Sequence, residues 1–443
     1  MEISPVRRDE IVDALRRGTV PEHGLGALAV GLDRFAPALD EELDRVANGS
    51  GVFKAVRGEY GSGKTFLTRW LAERARARGM ATSEVQISET ETPLHRNQTV
   101  YRRLVERLAT ATAPQGALRE VVDSWLFNLE SDVLDAGDGV SEDDVEALTA
   151  RTAALVDHRM GDVAQRAQPF AAALRAYHRA GATGDAATAE GLLAWMGGQP
   201  SVAASVKRAA GVKGDLDHDG ALSFLEALLV VLRNAGHPGL LLVLDEVETL
   251  QRVRSDTREK GLNALRQLID EVHGGRFGGL YLVITGTPAF FDAPGAGVQR
   301  LPPLAARLAT DFATDARFDN PRAVQIRLAN FDLKALVAVG GRIRDLYRMG
   351  LAPGATARVD RLCDDAYIEA LARAVAGELG ASVGLAPRLF IKKLVADILD
   401  RIDQFDDFDP RRDYHLSVGD HELTDIERNA RATRANDVAL TLE

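Results

Sequence analysis

The residue types best suited to chemistry lie together in the segment Gly58-Glu59-Tyr60-Gly61-Ser62-Gly63-Lys64-Thr65. Its glycines let backbone N–H groups approach phosphate oxygens, and a helix that begins at the lysine adds partial positive charge. Lys64 supplies an ammonium group for the β- and γ-phosphates, and Thr65 offers a hydroxyl to Mg²⁺. The spacing therefore predicts a P-loop that binds ATP with Mg²⁺, against the alternative of a chance glycine turn.

Two carboxylates follow the unbroken apolar run Leu240 to Leu244, which predicts a central strand that is buried on both faces. Asp245 would hold Mg²⁺ through its water shell, and Glu246 would polarise the attacking water as general base. Glu248 is the second candidate for the base. The alternative is a strand that ends in a solvated acidic loop. The presence of the glycine-lysine segment argues against it.

A hydroxyl at the end of the next strand is placed to contact the γ-phosphate or the attacking water. Thr285 is the first candidate and Thr287 the second. The alternative for both is ordinary turn chemistry before Pro288.

Two arginines complete the predicted catalytic and nucleotide-binding set. Arg307 lies between the fourth and fifth strands, where an arginine can reach the γ-phosphate of a neighbouring subunit, and Arg300 is its rival. Arg388 follows Pro387, which suits the first turn of a helix. The alternative for each arginine is a surface salt bridge.

These residues require a sheet that brings several strand ends together. Apolar runs predict strands at 52–57, 82–87, 240–244, 280–285 and 323–328, separated by helical segments. That alternation predicts an α/β fold with a parallel five-stranded sheet and helices on both faces. The stretch between the second and third strands is too long for a simple crossover, which predicts a helical insertion.

The chain divides into six predicted segments. They are an N-terminal helical segment (1–50), the first part of the ATPase core (51–112), the helical insertion (113–212), the second part of the core (213–331), a C-terminal helical lid (332–405) and a tail that is partly disordered (406–443).

Composition limits the compartment and the partners. The net charge of −11 gives no global basic field for nucleic acid, although a local basic patch stays compatible with it. The single cysteine, Cys363, excludes an internal disulfide and suits a reducing compartment. Neither a secretory signal nor a membrane span is visible, so we predict a cytoplasmic protein that does not contact a membrane.

A calcium-loop pattern begins at Asp215 and includes Asp217, Asp219 and Glu226. Gly211 and Gly214 interrupt the helix that should run into it, and no second loop partners it. We therefore interpret it as the cap of the helix that follows.

The two sites, the hydroxyl at the strand end and the helical lid together resemble the AAA+ class of ATPases. Val30 and Gly31 are similar to the segment that packs on adenine in initiator-type members. The resemblance implies that Val30, Gly31 and Arg388 contact the nucleotide, that subunits assemble when ATP is bound, and that DNA is a candidate partner.

A closer resemblance rests on the longer form Arg57-Gly58-Glu59-Tyr60-Gly61-Ser62-Gly63-Lys64-Thr65-Phe66, with Leu244-Asp245-Glu246-Val247-Glu248. This combination resembles the ATP-binding proteins of BREX phage-defence systems, of the BrxD type. It implies that other proteins of the defence system are partners, and it adds Phe66 to the nucleotide-binding residues.

Three functional hypotheses follow. The first is an ATPase of a phage-defence complex that couples the ATP cycle to assembly on DNA or on partner proteins. The second is a nucleotide-gated scaffold that hydrolyses ATP slowly and docks partners on its helical insertion. The third, a metabolic kinase, fits less well because an Asp-Glu pair at a strand end suits the activation of water.

Overall fold

A parallel sheet forms the centre of the protein. The computed structural model describes residues 3–136, 141, 143–379, 387–424 and 427–428. The strands are β1 (Val52–Arg57), β2 (Ala81–Gln86), β3 (Leu240–Asp245), β4 (Leu280–Gly286) and β5 (Gln325–Arg327). They lie in the order β2-β3-β4-β1-β5, and all neighbouring strands run parallel. The predicted α/β fold with five parallel strands is confirmed.

The three middle strands are buried along their whole length, because their apolar runs face helices on both sides. The register places Arg57 opposite Gly286, and Gln86 opposite Asp245. The carboxyl ends of β1, β2, β3 and β4 therefore meet at one edge of the sheet.

Helices connect and flank the strands. Up to the third strand they are α1 (Pro5–Arg16), α2 (Ala36–Ala47), α3 (Lys64–Arg76), α4 (Asn97–Glu106), α5 (Leu118–Asp135), α6 (Val145–Met160), α7 (Asp162–Arg166), α8 (Gln168–Ala182), α9 (Ala186–Met196), α10 (Ala204–Ala209) and α11 (His218–Asn234). After it come α12 (Ser255–His273), α13 (Pro288–Asp292), α14 (Pro302–Arg307), α15 (Leu333–Arg348), α16 (Pro353–Leu362), α17 (Asp365–Glu378), α18 (Pro387–Lys392), α19 (Asp400–Gln404) and α20 (Pro410–Asp413). A π-helical turn, Lys393–Leu399, joins α18 to α19.

Each face of the sheet has its own hydrophobic core. One face packs on α2 and α3, through residues such as Leu43, Trp70 and Tyr281. The other packs on α4, α11 and α12, and the same core continues into α5, α8 and α9. The helices between β2 and β3 thus share a core with the sheet, although their division from it at residues 113 and 212 stays a prediction.

A third core lies in the C-terminal helices. It joins α15, α16, α17 and the helix from α18 to α19, and α1 packs into it. Arg16 on α1 donates to Asp400 at the start of α19 (2.6 and 2.9 Å), and the Tyr347 hydroxyl donates to the same carboxylate (2.8 Å). The N-terminal helix is therefore fastened to the C-terminal helices.

Some predicted boundaries shift. Within the predicted N-terminal helical segment, helix α2 begins at Ala36, where Pro37 suits a first helical turn. The fifth strand is limited to Gln325–Arg327, since it pairs with β1 alone. The prediction of partial disorder for 406–443 falls in part on residues 425–426 and 429–443, which lie outside the described residues. Over the described chain, no helix has both the length and the apolar character needed to cross a membrane.

Candidate functional site

The loop between β1 and α3 is the first part of the site. Gly61 (φ +80°) and Gly63 (φ +90°) adopt left-handed backbone conformations, which favour glycine. A Cβ at Gly58 would collide with the Ser62 hydroxyl and lie 3.2 Å from the Leu328 Cβ. The loop therefore needs glycine at all three positions, as the spacing predicts.

The polar groups of this loop converge at the start of α3. Lys64 donates through Nζ to the Gly58 carbonyl (2.8 Å) and the Glu59 carbonyl (3.2 Å). The Ser62 hydroxyl is buried and has no hydrogen-bond partner among the described residues. An ammonium, an unpartnered hydroxyl and the first N–H groups of a thirteen-residue helix thus share one concave loop.

The end of β3 approaches the start of α3. The Thr65 hydroxyl lies 3.4 Å from Asp245 Oδ2, although the two residues are 180 positions apart. Asp245 Oδ1 accepts from the Thr285 hydroxyl and from the backbone N–H of Glu246 (3.1 Å). The sheet order explains this contact, because β4 lies between β3 and β1 and carries Thr285 beside Asp245. The structure therefore brings together Thr65, Asp245 and Thr285.

Glu246 has the most unusual backbone of the site. Its φ of 59° and ψ of 43° are left-handed, a conformation that costs energy in a non-glycine residue and clusters at functional sites. Its N–H also donates to the Thr285 hydroxyl (3.1 Å). Its carboxylate accepts from Gln86 Nε2 at the end of β2 (2.9 Å). Thus β4 holds the backbone of Glu246 through Thr285, and β2 holds its side chain through Gln86.

Glu248 lies close by, in the short 3₁₀ turn after β3. One of its carboxylate oxygens is buried without a partner among the described residues. Burial raises the pKa of Glu248, while the nearby Lys64 ammonium opposes that shift. A third carboxylate, partly desolvated, therefore lies near the Lys64 ammonium.

The arginines predicted to act on the nucleotide are engaged elsewhere. Arg307, at the end of α14, donates to the Asp270 carboxylate on α12, with 3.0 Å for one of its two contacts. Arg300 donates to the Ser255 hydroxyl (2.8 Å). The structure does not bring either arginine to the P-loop, and the predicted contact with a neighbouring subunit stays a prediction.

Arg388 opens α18, as the sequence predicts, and its guanidinium turns toward the C-terminal segment. It donates to the Glu427 carboxylate (2.6 and 3.3 Å) and to the Glu422 carbonyl. Its predicted contact with the nucleotide stays a prediction as well.

The residues predicted to lie near adenine sit where the C-terminal core meets the P-loop. Val30 packs against the C-terminal core, and Phe66 packs against both that core and the core around α3. Gly31 (φ +75°) has open space beside it. Arg342 on α15 donates to the Ala29 carbonyl, which ties this segment to the C-terminal helices.

For Thr287 and for the calcium-loop pattern that begins at Asp215, the contacts support the structural interpretations, which are a turn and a helix cap. The Thr287 hydroxyl accepts from the Phe290 N–H (3.4 Å) and caps α13. Asp217 caps α11 by accepting from the Gly220 N–H (2.8 Å). Glu226, the last residue of the calcium-loop pattern, forms ion pairs with Arg166 and Arg276, so its carboxylate is already engaged.

Gln86 is the residue of the site that the sequence did not single out. It is 160 positions from Glu246, and only the pairing of β2 with β3 joins them. A polar residue at the end of the predicted second strand was the one available signal.

Comparison with known proteins identifies the family. The family described as "BREX system ATP-binding protein BrxC/D" matches residues 3–418. This match covers nearly the whole chain, and the chain therefore belongs to that family of ATP-binding proteins. No curated protein and no solved structure matches it.

Proposed function

We propose that this BREX ATP-binding protein is an AAA+ ATPase of the BrxD type, which binds ATP with Mg²⁺ and hydrolyses it where β1, β3 and β4 end. The observation that carries the proposal is the approach of Thr65 to Asp245 (3.4 Å) beside the Lys64 ammonium. A hydroxyl and a carboxylate next to a lysine-bearing glycine loop form the ligand set of a Mg²⁺-nucleotide site.

The residues present fit ATP and Mg²⁺. The buried Ser62 hydroxyl and the N–H groups at the start of α3 can donate further hydrogen bonds, and phosphate oxygens would accept them. Lys64 would exchange its carbonyl partners for phosphate. Thr65 and Asp245 would hold the cation, directly or through water. The bound nucleotide supplies the phosphoryl group, and the cation offsets its charge.

Glu246 is the proposed general base. Its carboxylate would accept a proton from the attacking water, while Gln86 fixes its orientation and Thr285 fixes its backbone. Thr285 therefore acts as a positioning residue in this proposal, and a direct contact with the phosphate is not needed.

The AAA+ assignment draws support from the order of the strands and from the helices after β5. The strand between β1 and β3 carries the hydroxyl, and the C-terminal helices contact the segment around Val30 beside the P-loop. We propose that residues 332–405 act as the lid, that Val30 and Gly31 contact adenine, and that Phe66 belongs to the nucleotide-binding residues. We propose likewise that residues 51–112 and 213–331 form the ATPase core around the insertion.

The proposed partners are other proteins of the defence system, with DNA as a further candidate, in the cytoplasm. Arg307 would leave Asp270 to reach a neighbouring subunit when ATP is bound. Specific ATPase rate measured against protein concentration tests this step. A rate that stays constant on dilution, with Arg307→Ala and Arg300→Ala both neutral, would contradict assembly-dependent hydrolysis.

Substitution of the two candidate bases tests the hydrolysis itself. We expect Glu246→Gln to keep ATP affinity and to lower turnover by about a hundredfold or more. Glu248→Gln is the matched control, and we expect it to retain most of the turnover. Loss of turnover in Glu248→Gln with normal turnover in Glu246→Gln would give the role of base to Glu248.

A nucleotide-gated scaffold is the second candidate. The observation in its favour is that Arg307 and Arg388 both bind carboxylates of their own chain. Such a protein would keep its defence function in the Glu246→Gln variant and lose it in Lys64→Ala. An ATPase that must turn over would lose function in both.

A further inference from the structure

The second strand forms an open edge of the sheet. β2 lies last in the strand order, so only one side of it is paired with β3. The N–H groups of Ala81 and Ile87 donate to carbonyls on the β3 side (3.0 and 2.9 Å). In a parallel ladder the peptide groups alternate, so those of residues 82, 84 and 86 point away from β3.

Only the first of these outward groups is used. Thr82 exchanges two backbone hydrogen bonds with Ala109 (2.9 and 2.8 Å), which closes the beginning of the edge. The outward peptide groups of Glu84 and Gln86 have no partner in the part of the chain that the structure describes. An edge with unpaired N–H and C=O groups is a template for another strand.

A groove runs beside this open edge. Its volume is about 830 Å³, and residues of β2, α3 and the end of α4 line it. The helices lie on opposite faces of the sheet, since α3 belongs to one core and α4 to the other. The groove therefore offers room for an extended chain with side chains on both faces.

Two guanidinium groups of the groove have no carboxylate among their hydrogen-bond partners in the described chain. Arg76 donates to the Thr82 hydroxyl (3.0 Å) and to the Glu22 carbonyl (3.5 Å). Burial lowers the pKa of Arg76, which marks a desolvated cation, although Glu22 and Glu73 lie near enough to oppose that shift. Arg107 follows α4 and is exposed. Burial raises the pKa of Glu84, and Arg107 lies near enough to oppose that shift.

Most of the other charges that line the groove are occupied. Glu73 accepts from the N–H groups of Gly24 and Leu25 (2.6 and 3.0 Å). Glu84 accepts from Arg69 (3.3 Å). Arg7 and Arg103 also line the groove, and each pairs with a carboxylate on its own helix. Glu22 and Glu91 line it as exposed carboxylates. The last titratable group is His23, and burial lowers its pKa.

We propose that an extended acidic segment of a partner protein adds to the edge of β2 as a further strand. Its backbone would pair with the outward peptide groups of Glu84 and Gln86, and its carboxylates would bind Arg76 and Arg107. A guanidinium without a carboxylate favours an acidic segment over a basic one. The inference does not rest on ATP hydrolysis, because the pairing uses the backbone of Gln86, whereas the P-loop site uses its side chain, and Arg76 and Arg107 belong to the groove alone.

Backbone pairing is tested on the unaltered protein. The probe is a short fluorescein-labelled peptide that repeats two glutamates followed by two threonines, so that an extended chain carries carboxylates on both faces. Its binding is measured by fluorescence anisotropy. Two further versions carry N-methyl groups on one or the other alternate set of residues. We expect one version to bind like the parent and the other to lose at least about tenfold in affinity, because only one set of N–H groups can face β2. Equal binding of both versions would overturn the strand addition.

The site and the charge are tested in the same assay. We expect Arg76→Ala and Arg107→Ala each to weaken peptide binding by about tenfold, which corresponds to about 1.4 kcal/mol, because each loses a hydrogen bond between charged groups. Arg78→Ala is the matched control, since Arg78 lies on the same stretch of chain and pairs with Asp40 and Asp44 instead. Bound peptide should also slow hydrogen exchange over residues 83–87.

Two further outcomes would contradict the proposal. Binding of a peptide with lysine in place of glutamate would show that the arginines do not select an acidic segment. Tight binding of a labelled single-stranded oligonucleotide in place of the acidic peptide, with the same loss in Arg76→Ala and Arg107→Ala, would assign the groove to nucleic acid.

Discussion

Thr285→Val removes one hydroxyl from the centre of the site and keeps nearly the same shape. The Thr285 side chain is fully buried (0% exposed), donates to Asp245 and accepts from the Glu246 N–H (3.1 Å). The first bond involves a carboxylate and is worth about 1.5–3 kcal/mol, and the second is worth about 1 kcal/mol. We therefore expect the free energy of unfolding to fall by about 2.5–4 kcal/mol.

The same loss should slow turnover, because Asp245 and Glu246 would no longer be held in one arrangement. If half of the lost hydrogen-bond energy serves that arrangement, turnover falls by about tenfold to thirtyfold. Urea unfolding followed by tryptophan fluorescence measures the stability, and a phosphate-release assay measures the turnover.

Two matched variants separate the hydroxyl from the packing. Thr285→Ser keeps the hydroxyl and loses a methyl group, so turnover should stay near that of the wild type. Thr287→Val removes a neighbouring hydroxyl that only caps α13, and should leave turnover unchanged. Wild-type turnover in Thr285→Val, or a larger loss in Thr285→Ser, would refute the reasoning.

Three other predictions concern groups around the site. Gln86→Leu removes the donor that orients the Glu246 carboxylate, so turnover should fall by at least about threefold. ATP affinity, measured by calorimetry, should stay the same. Arg307→Ala and Asp270→Ala should each lower stability by about 1 kcal/mol, and the double variant should lose less than the sum, as urea unfolding would reveal. Glu248→Gln should raise the melting temperature of the nucleotide-free protein at neutral pH, because the raised pKa of Glu248 means that its charged form opposes folding. That advantage should shrink as pH falls from the raised pKa of Glu248 to the ordinary pKa of a glutamate, and should be absent below it; a difference that is independent of pH would contradict it.

The parts of the fold that the sequence predicts well are those with local causes. The apolar run before Asp245 and the glycine spacing before Lys64 depend on neighbours in the chain. Strand bounds for β1 agree with the prediction, and those of β2, β3 and β4 agree to within one residue. Parallel pairing then places the strand ends at one edge, so the meeting of Thr65 with Asp245 followed from topology.

The parts that escaped prediction depend on contacts between distant segments. The left-handed backbone of Glu246 arises because Asp245 and Thr285 both accept from its N–H, which no local pattern encodes. Gln86 and Arg307 have partners 160 and 37 positions away. The helices between β2 and β3 share a core with the sheet, a long-range packing that no local pattern encodes, and their division from it at residues 113 and 212 stays a prediction.

The binding of Mg²⁺-ATP to Lys64→Ala tests the central claim most directly. Lys64→Ala removes the ammonium that the site would place on the phosphates, and Lys334→Ala removes an exposed lysine from α15 as the matched control. With calorimetry, we expect Lys64→Ala to lose at least about a hundredfold in affinity and to show no turnover, while Lys334→Ala behaves like the wild type. Full affinity and turnover in Lys64→Ala would contradict the account of this loop as the nucleotide site.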